Sequence, residues 1–206
     1  MPEDETPLAV WRFGDPLSRV ENHLRDGGVV ALPTESSYGL GVDPRSEAGV
    51  EAIYRLKKRE RGKPLPVVIA NLDQAQHLGI ALDDPLLARV ARHWPAPLTA
   101  IVPLSEGAPV LPAAAGQASI AVRIPAHPLL CSLLEELGHP LTATSANLSG
   151  HQPILDKAGL NRQFAGTGLL IVDGGTLVGG APSTMVNFLS GRIEIVRLGR
   201  FDPALL

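Results

Sequence analysis

Between residues 57 and 63 the chain reads KKRERGK, placing Lys57, Lys58, Arg59, Arg61 and Lys63, five of its 18 lysines and arginines, within seven positions. Two readings are open. Cations at a helix end offset the negative pole of its dipole, typically by about 0.3–1 kcal/mol each. Crowded like charges followed by Gly62 and Pro64, which fix a loop, also suit a phosphate, since its oxygens accept charge-assisted hydrogen bonds. A second candidate is Arg123, which ends SIAVRIP (119–125), a run otherwise fit for the interior. Burying an arginine is costly without an acidic partner or a ligand anion, and no carboxylate lies near it in the local sequence. A third is TATSANLSG (142–150), whose hydroxyl, amide and small side chains could bind a ligand or simply form a Ser/Asn turn. Asp173-Gly174-Gly175, Ser183-Thr184 and Arg197 are weaker signals of the same kind.

The composition limits what these residues can be serving. The chain has 206 residues and a net charge of −3, so any anion site is local rather than part of a global basic field. Length and 45% apolar content are those of one soluble α/β domain, here taken as residues 1–206, with burial resting on Val, Leu, Ile and Ala because aromatics supply only 4%. Neither GxxxxGK[ST] nor a GxGxxG following a strand occurs, and the six histidines show no metal-ligand spacing, so no protein-held metal is expected. The single cysteine, Cys131, sits in the apolar run PLLCSLLEEL and reads as a buried, inert thiol. The acidic start MPEDETPLAVWRFGDP lacks the features of a signal peptide and no run reaches membrane-span length, so the expectation is a cytoplasmic protein with no membrane partner.

The elements that must carry these residues follow from periodicity. Leu17, Val20 and Leu24 define a helix over 16–26. Continuous apolar runs at 28–32, 66–70, 98–104, 141–144 and 169–173 read as strands covered on both faces. Helices are predicted at 46–58, 72–78, 85–93, 128–137 and 155–164, with Ser46 as a cap and Glu47 and Glu51 near the positive end of the dipole. TMVNFL and IEIVRLG, joined by Ser190-Gly191-Arg192, read as a hairpin, which makes the sheet mixed. Residues 107–117, GAPVLPAAAGQ, read as a loop.

Taken in order, PTESSYGLG, KKRERGKPLP, SIAVRIPAHP, TSANLSG, DGG with PST, and IVRLG resemble the YrdC-like family, over roughly residues 27–200 and most closely its short bacterial threonylcarbamoyl-AMP synthases. The resemblance implies an open, twisted mixed sheet flanked by helices with a concave basic face. It implies synthesis of L-threonylcarbamoyladenylate and pyrophosphate from L-threonine, bicarbonate and ATP with Mg²⁺, the first step of the t6A37 modification of tRNA. On the matching positions, Lys57 and Arg59 would hold the phosphates with Lys63. Arg123 would face the threonine carboxylate or bicarbonate. Ser119, Asn147 and Arg197 would serve the nucleotide, and Ser36, Ser145 and Ser183 the threonine. The reacting carbamate is its own nucleophile, so Lys57, Arg59 and Arg123 would act catalytically by positioning and charge neutralisation. Partners implied are tRNA, including double-stranded RNA, and the downstream threonylcarbamoyl-transfer proteins.

Three departures from the family pattern stand out: Glu60 where many members have proline, Leu155 near a hydroxyl contact to nucleotide, and Asn187 in place of an acid. They leave room for a diverged paralogue with another substrate; a separate alternative is a non-catalytic RNA-binding module that uses the concave basic face.

Overall fold

The computed structural model describes residues 6–206. Among these, the strands are β1 (Ala9–Trp11), β2 (Val30–Pro33), β3 (Tyr38–Gly41), β4 (Val67–Val68), β5 (Leu98–Pro103), β6 (Ser119–Arg123), β7 (Leu141–Thr142), β8 (Thr144–Ser145), β9 (Leu170–Val172), β10 (Thr184–Asn187) and β11 (Glu194–Arg197). The helices are α1 (Ser18–Arg25), α2 (Glu47–Lys57), α3 (Leu72–Gln76), α4 (Pro85–Ala91), α5 (Pro128–Leu137) and α6 (Lys157–Phe164). The predicted 107–117 loop contains one short 3₁₀ turn, Pro112–Ala114. β1 and β3 were not anticipated, and residues 1–5 of the expected single domain lie outside the described residues.

The strands form two mixed sheets, in the orders β1-β9-β2-β3-β8 and β11-β10-β5-β6-β4-β7. The expected single strand at 141–144 is in fact the place where the chain passes between them. Leu141 and Thr142 pair with β4 in the second sheet, whereas Thr144 and Ser145 pair with β3 in the first. The switch residue, Ala143, turns its N–H to the Pro66 carbonyl at 2.8 Å, and Thr142 reaches across to Val42 through both backbone and hydroxyl. TSANLSG therefore starts at the seam.

The helices form where their apolar faces can be buried. α5 packs Leu130, Leu133, Leu134 and Leu137 with Val20 and Leu24 of α1 against Val30, Leu32 and Val172 of the first sheet; each such side chain contributes about 1.5–3 kcal/mol on burial. α2 starts at Ser46, whose hydroxyl accepts the Gly49 N–H at 3.1 Å, and buries Val50, Ile53, Tyr54 and Lys57. That spacing is one continuous helical stripe, and its last member is a lysine. The hairpin of β10 and β11 is antiparallel as expected.

Candidate active site

A cleft of about 760 Å³ opens beside the seam, within the size range of small-molecule sites. Its floor is the face of the second sheet. Ser119, Ala121 and Arg123 of β6 line it, alternating with buried Ile120 and Val122, and Thr99 and Ile101 alternate with Ala100 on β5. The strand register sets Arg197, Met185 and Thr99 abreast across β11, β10 and β5. Gly39, Thr144 and Ser145 from the first sheet form one wall, and Arg59 enters past the end of α2.

The side chains of the basic cluster diverge. Lys57 is only 2% exposed, and its ammonium donates to the carbonyl of Ser145, to the carbonyl of Asn147 at 2.7 Å and to Asn147 Oδ1 at 3.3 Å. These three bonds use its three donors, so Lys57 stands behind the cleft wall. Burial, with the charge of Arg59, lowers its pKa to about 8, while the three acceptors favour the ammonium. Lys58 ends α2 in the left-handed region, with φ 48°, and this turn sends Arg59 back into the cleft. Arg59 donates to the Pro64 carbonyl at 3.1 Å, and its Nε is buried without a protein partner. Arg59 as a residue lines the cleft, and a guanidinium with a donor still unpaired beside a cavity suits an anion. Arg61 pairs with Glu51 outside the cleft. Lys63, expected at the phosphates, pairs instead with Glu60 at 3.0 Å and is not among the lining residues.

Arg123 has an acidic partner from a distant part of the chain. Its Nη1 lies 2.7 and 2.8 Å from the two carboxylate oxygens of Glu35, a partner 88 residues away that local sequence could not reveal. Glu35 also accepts the Ala126 N–H at 2.7 Å, and its carbonyl accepts Arg200 at 3.0 Å. Burial acts to raise the Glu35 carboxyl, but the charge of Arg123 and these hydrogen bonds hold it below the usual carboxylate range. Glu35 and Ser36 sit at the tip of a turn closed by Thr34, whose N–H and hydroxyl both donate to the Ser37 carbonyl.

Opposite, Arg197 donates to the Ser183 carbonyl at 3.2 and 2.9 Å and to the Ser183 hydroxyl at 3.2 Å. Ser183 in turn bonds Thr99 at 2.8 Å between hydroxyls. Burial and the nearby charge of Arg123 lower the Arg197 pKa. Ser36, Ser119, Ser145 and Ser183 all line the cleft. Asn147 does too, but its side chain is spent internally, receiving Lys57 and donating to the Leu148 and His151 carbonyls at 2.9 and 2.6 Å.

Several sequence signals resolve into structure rather than chemistry. The Gly174 N–H and Gly175 carbonyl clasp the Tyr38 hydroxyl at 3.0 and 2.9 Å, and Asp173 pairs with Lys157. Leu155 packs against Gly179, and Asn187 accepts the Leu189 N–H at the hairpin turn; neither lines the cleft. Cys131 is half-buried, with Sγ 3.0 Å from the Pro125 carbonyl and its thiol pKa raised mainly by burial. Among the described residues no group of three or more His, Cys, Asp or Glu could hold a metal, and no helix is long and apolar enough to cross a membrane. Glu35, Thr99 and Met185 are among the residues at the site that sequence reading missed.

The fold and cleft define an α/β protein that gathers three guanidiniums and several hydroxyls around a cavity with no charged nucleophile among them. Residues 22–199 match the family model Sua5_yciO_yrdC, described as telomere recombination, and the chain belongs to this family. It is similar to threonylcarbamoyl-AMP synthase of Thiobacillus denitrificans, at 40% identity over 83% of this chain and 90% of that one. It resembles the synthase of Methylococcus capsulatus at 38% identity, over 88% and 97% of the two chains. Among solved structures it superimposes on P. abyssi Sua5 complexed with L-threonine with a TM-score of 0.80 and 31% identity, covering 94% of this chain and 58% of that one.

Proposed function

We propose that this chain is a threonylcarbamoyl-AMP synthase, joining L-threonine, bicarbonate and ATP into L-threonylcarbamoyladenylate with release of pyrophosphate. The observation that carries this reading is the convergence of Arg59, Arg123 and Arg197 with Ser36, Ser119, Ser145 and Ser183 on one cleft. The names of the full-length relatives and the threonine complex of a structural neighbour support it.

The threonine amine condenses with bicarbonate, losing water, to give a carbamate. A carbamate oxygen then attacks the α-phosphorus of ATP in line, and the bond to the β-phosphate oxygen breaks to release pyrophosphate. The protein's part is positioning and charge neutralisation, which can together lower the barrier by several kcal/mol. Arg59 offers its guanidinium to the phosphates, Arg197 and Ser119 support the nucleotide, and Arg123 with Ser36, Ser145 and Ser183 receives the amino acid. Lys57 and Asn147 serve by holding the Ser145 wall. Mg²⁺ enters as part of the ATP substrate, carried on phosphate oxygens and water. We place the enzyme in the cytoplasm, upstream of the proteins that transfer the threonylcarbamoyl group to tRNA.

The test is pyrophosphate release with ATP, bicarbonate and a panel of amino acids, with the adenylate identified by mass. Release that requires both threonine and bicarbonate is expected; release indifferent to threonine refutes the assignment.

A further inference from the structure

The three guanidiniums of the cleft are not equivalent. Arg59 and Arg197 make their protein hydrogen bonds to neutral oxygens, those of Pro64 and Ser183. Arg123 alone carries a carboxylate, through Nη1 on both oxygens of Glu35, with side chains 12% and 11% exposed. Screening at such a pair is weak, so Glu35 offsets much of the charge that Arg123 presents to the cleft, although Arg197 still feels the remainder. The Glu35 carboxylate is further held by the Ala126 N–H, and its backbone carbonyl receives Arg200 from beyond β11. One residue of the first sheet's β2–β3 turn thus ties down the end of β6 and the segment after β11, both in the second sheet.

We infer that Glu35 is a positioning residue that sets the charge balance of the cleft: it neutralises and orients Arg123, leaving Arg59 and Arg197 as the cations open to a phosphate chain. The orientation follows from the geometry, since engaging Nη1 leaves the remaining donors of Arg123 to face the cavity it lines. The charge balance has a functional reason. A cleft with three uncompensated cations would bind the product pyrophosphate more tightly, and binding that does not strengthen selectively in the transition state slows release without assisting chemistry. The turnover part of this inference rests on the synthase reading; the electrostatic part does not.

The test uses inorganic pyrophosphate as the probe, titrated calorimetrically at low ionic strength into the full chain. Glu35→Gln is expected to bind it about 3- to 10-fold more tightly than wild type, since it frees the charge of Arg123. Arg123→Gln is expected to bind it at least threefold more weakly, because Glu35 then stands uncompensated, and the double variant returns to within twofold of wild type. In the same protein, kcat for threonine-dependent pyrophosphate release by Glu35→Gln should fall at least tenfold. A merely structural role would lower melting temperature and weaken binding, and would not produce tighter binding with slower turnover. Glu35→Gln that binds pyrophosphate no more tightly than wild type overturns the inference. Should that variant not fold, Arg123→Gln decides: affinity within twofold of wild type overturns it. Wild type that binds pyrophosphate but never releases it from ATP would instead refute the synthase reading alone.

Discussion

The ammonium of Lys57 lies 2.7 Å from the carbonyl oxygen of Asn147, a residue 90 positions further along the chain. It welds the end of α2 to the Ser145–Asn147 segment, and no donor is left over for a phosphate. Lys57→Met should therefore cost at least about 2 kcal/mol of stability, because buried carbonyls lose their donor, and turnover should fall as the Ser145 wall shifts. Equilibrium denaturation beside steady-state assays separates the possibilities. Lost turnover at unchanged stability would make Lys57 a direct phosphate ligand.

The same lysine gives a pH dependence of defined sign. Its folded pKa is about 8 against the ordinary lysine value of 10.5, so between these limits the unfolded chain binds more protons than the folded one. Stability from this group consequently rises with pH through that window, by at most about 1.4 kcal/mol per pH unit, and is lowest below pH 8. Urea melts at intervals from pH 7 to 10 should show wild type gaining on Lys57→Met as pH increases. A constant gap across the range would mean that burial does not depress the amine.

How much of this was legible beforehand depended on the range over which each residue acts. Elements set by local periodicity, such as α5 at 128–137, were found at their observed bounds. The burial of Lys57 was written in its spacing from Val50, Ile53 and Tyr54, but the surrounding run of cations hid it. The Glu35–Arg123 pair and the division of 141–145 between two sheets could not be read locally. Each depends on segments that meet only after the sheets assemble. β3 was invisible for another reason: its sequence, YGLG, is half glycine, and Gly39 is accommodated where a Cβ would stand 3.3 Å from the Thr144 carbonyl.

Arg59 and Arg61, two residues apart, should behave oppositely. Arg59 faces the cleft with a buried free donor, whereas Arg61 is exposed and paired with Glu51. Arg59→Ala should fold normally and lose at least tenfold in turnover, equivalent to about 1.4 kcal/mol of transition-state stabilisation. Arg61→Ala should stay within twofold of wild type, as removal of an exposed ion pair costs little. Equal losses in the two variants would show that the cluster works as a diffuse field instead of through one placed guanidinium.

Gly199 follows β11 at a point where backbone meets backbone. A Cβ there would lie 2.1 Å from the Pro182 carbonyl oxygen and 2.5 Å from the Thr184 nitrogen, and neither atom can move aside as a flexible side chain would. The Gly199 N–H also donates to the Thr184 hydroxyl at 3.0 Å, and that hydroxyl donates to the Phe201 carbonyl at 2.6 Å. Gly199→Ala must therefore push the end of β11 away from residues 182–184, and with it separate Arg197 from the Ser183 that it holds. Because overpacking typically costs about 1–3 kcal/mol, the variant should still fold while KM for ATP rises and pyrophosphate release slows. Melting temperature and the ATP dependence of turnover, measured together, check this. A variant that melts lower yet keeps its KM and kcat would show that the clasp supports the hairpin without positioning Arg197 for the nucleotide.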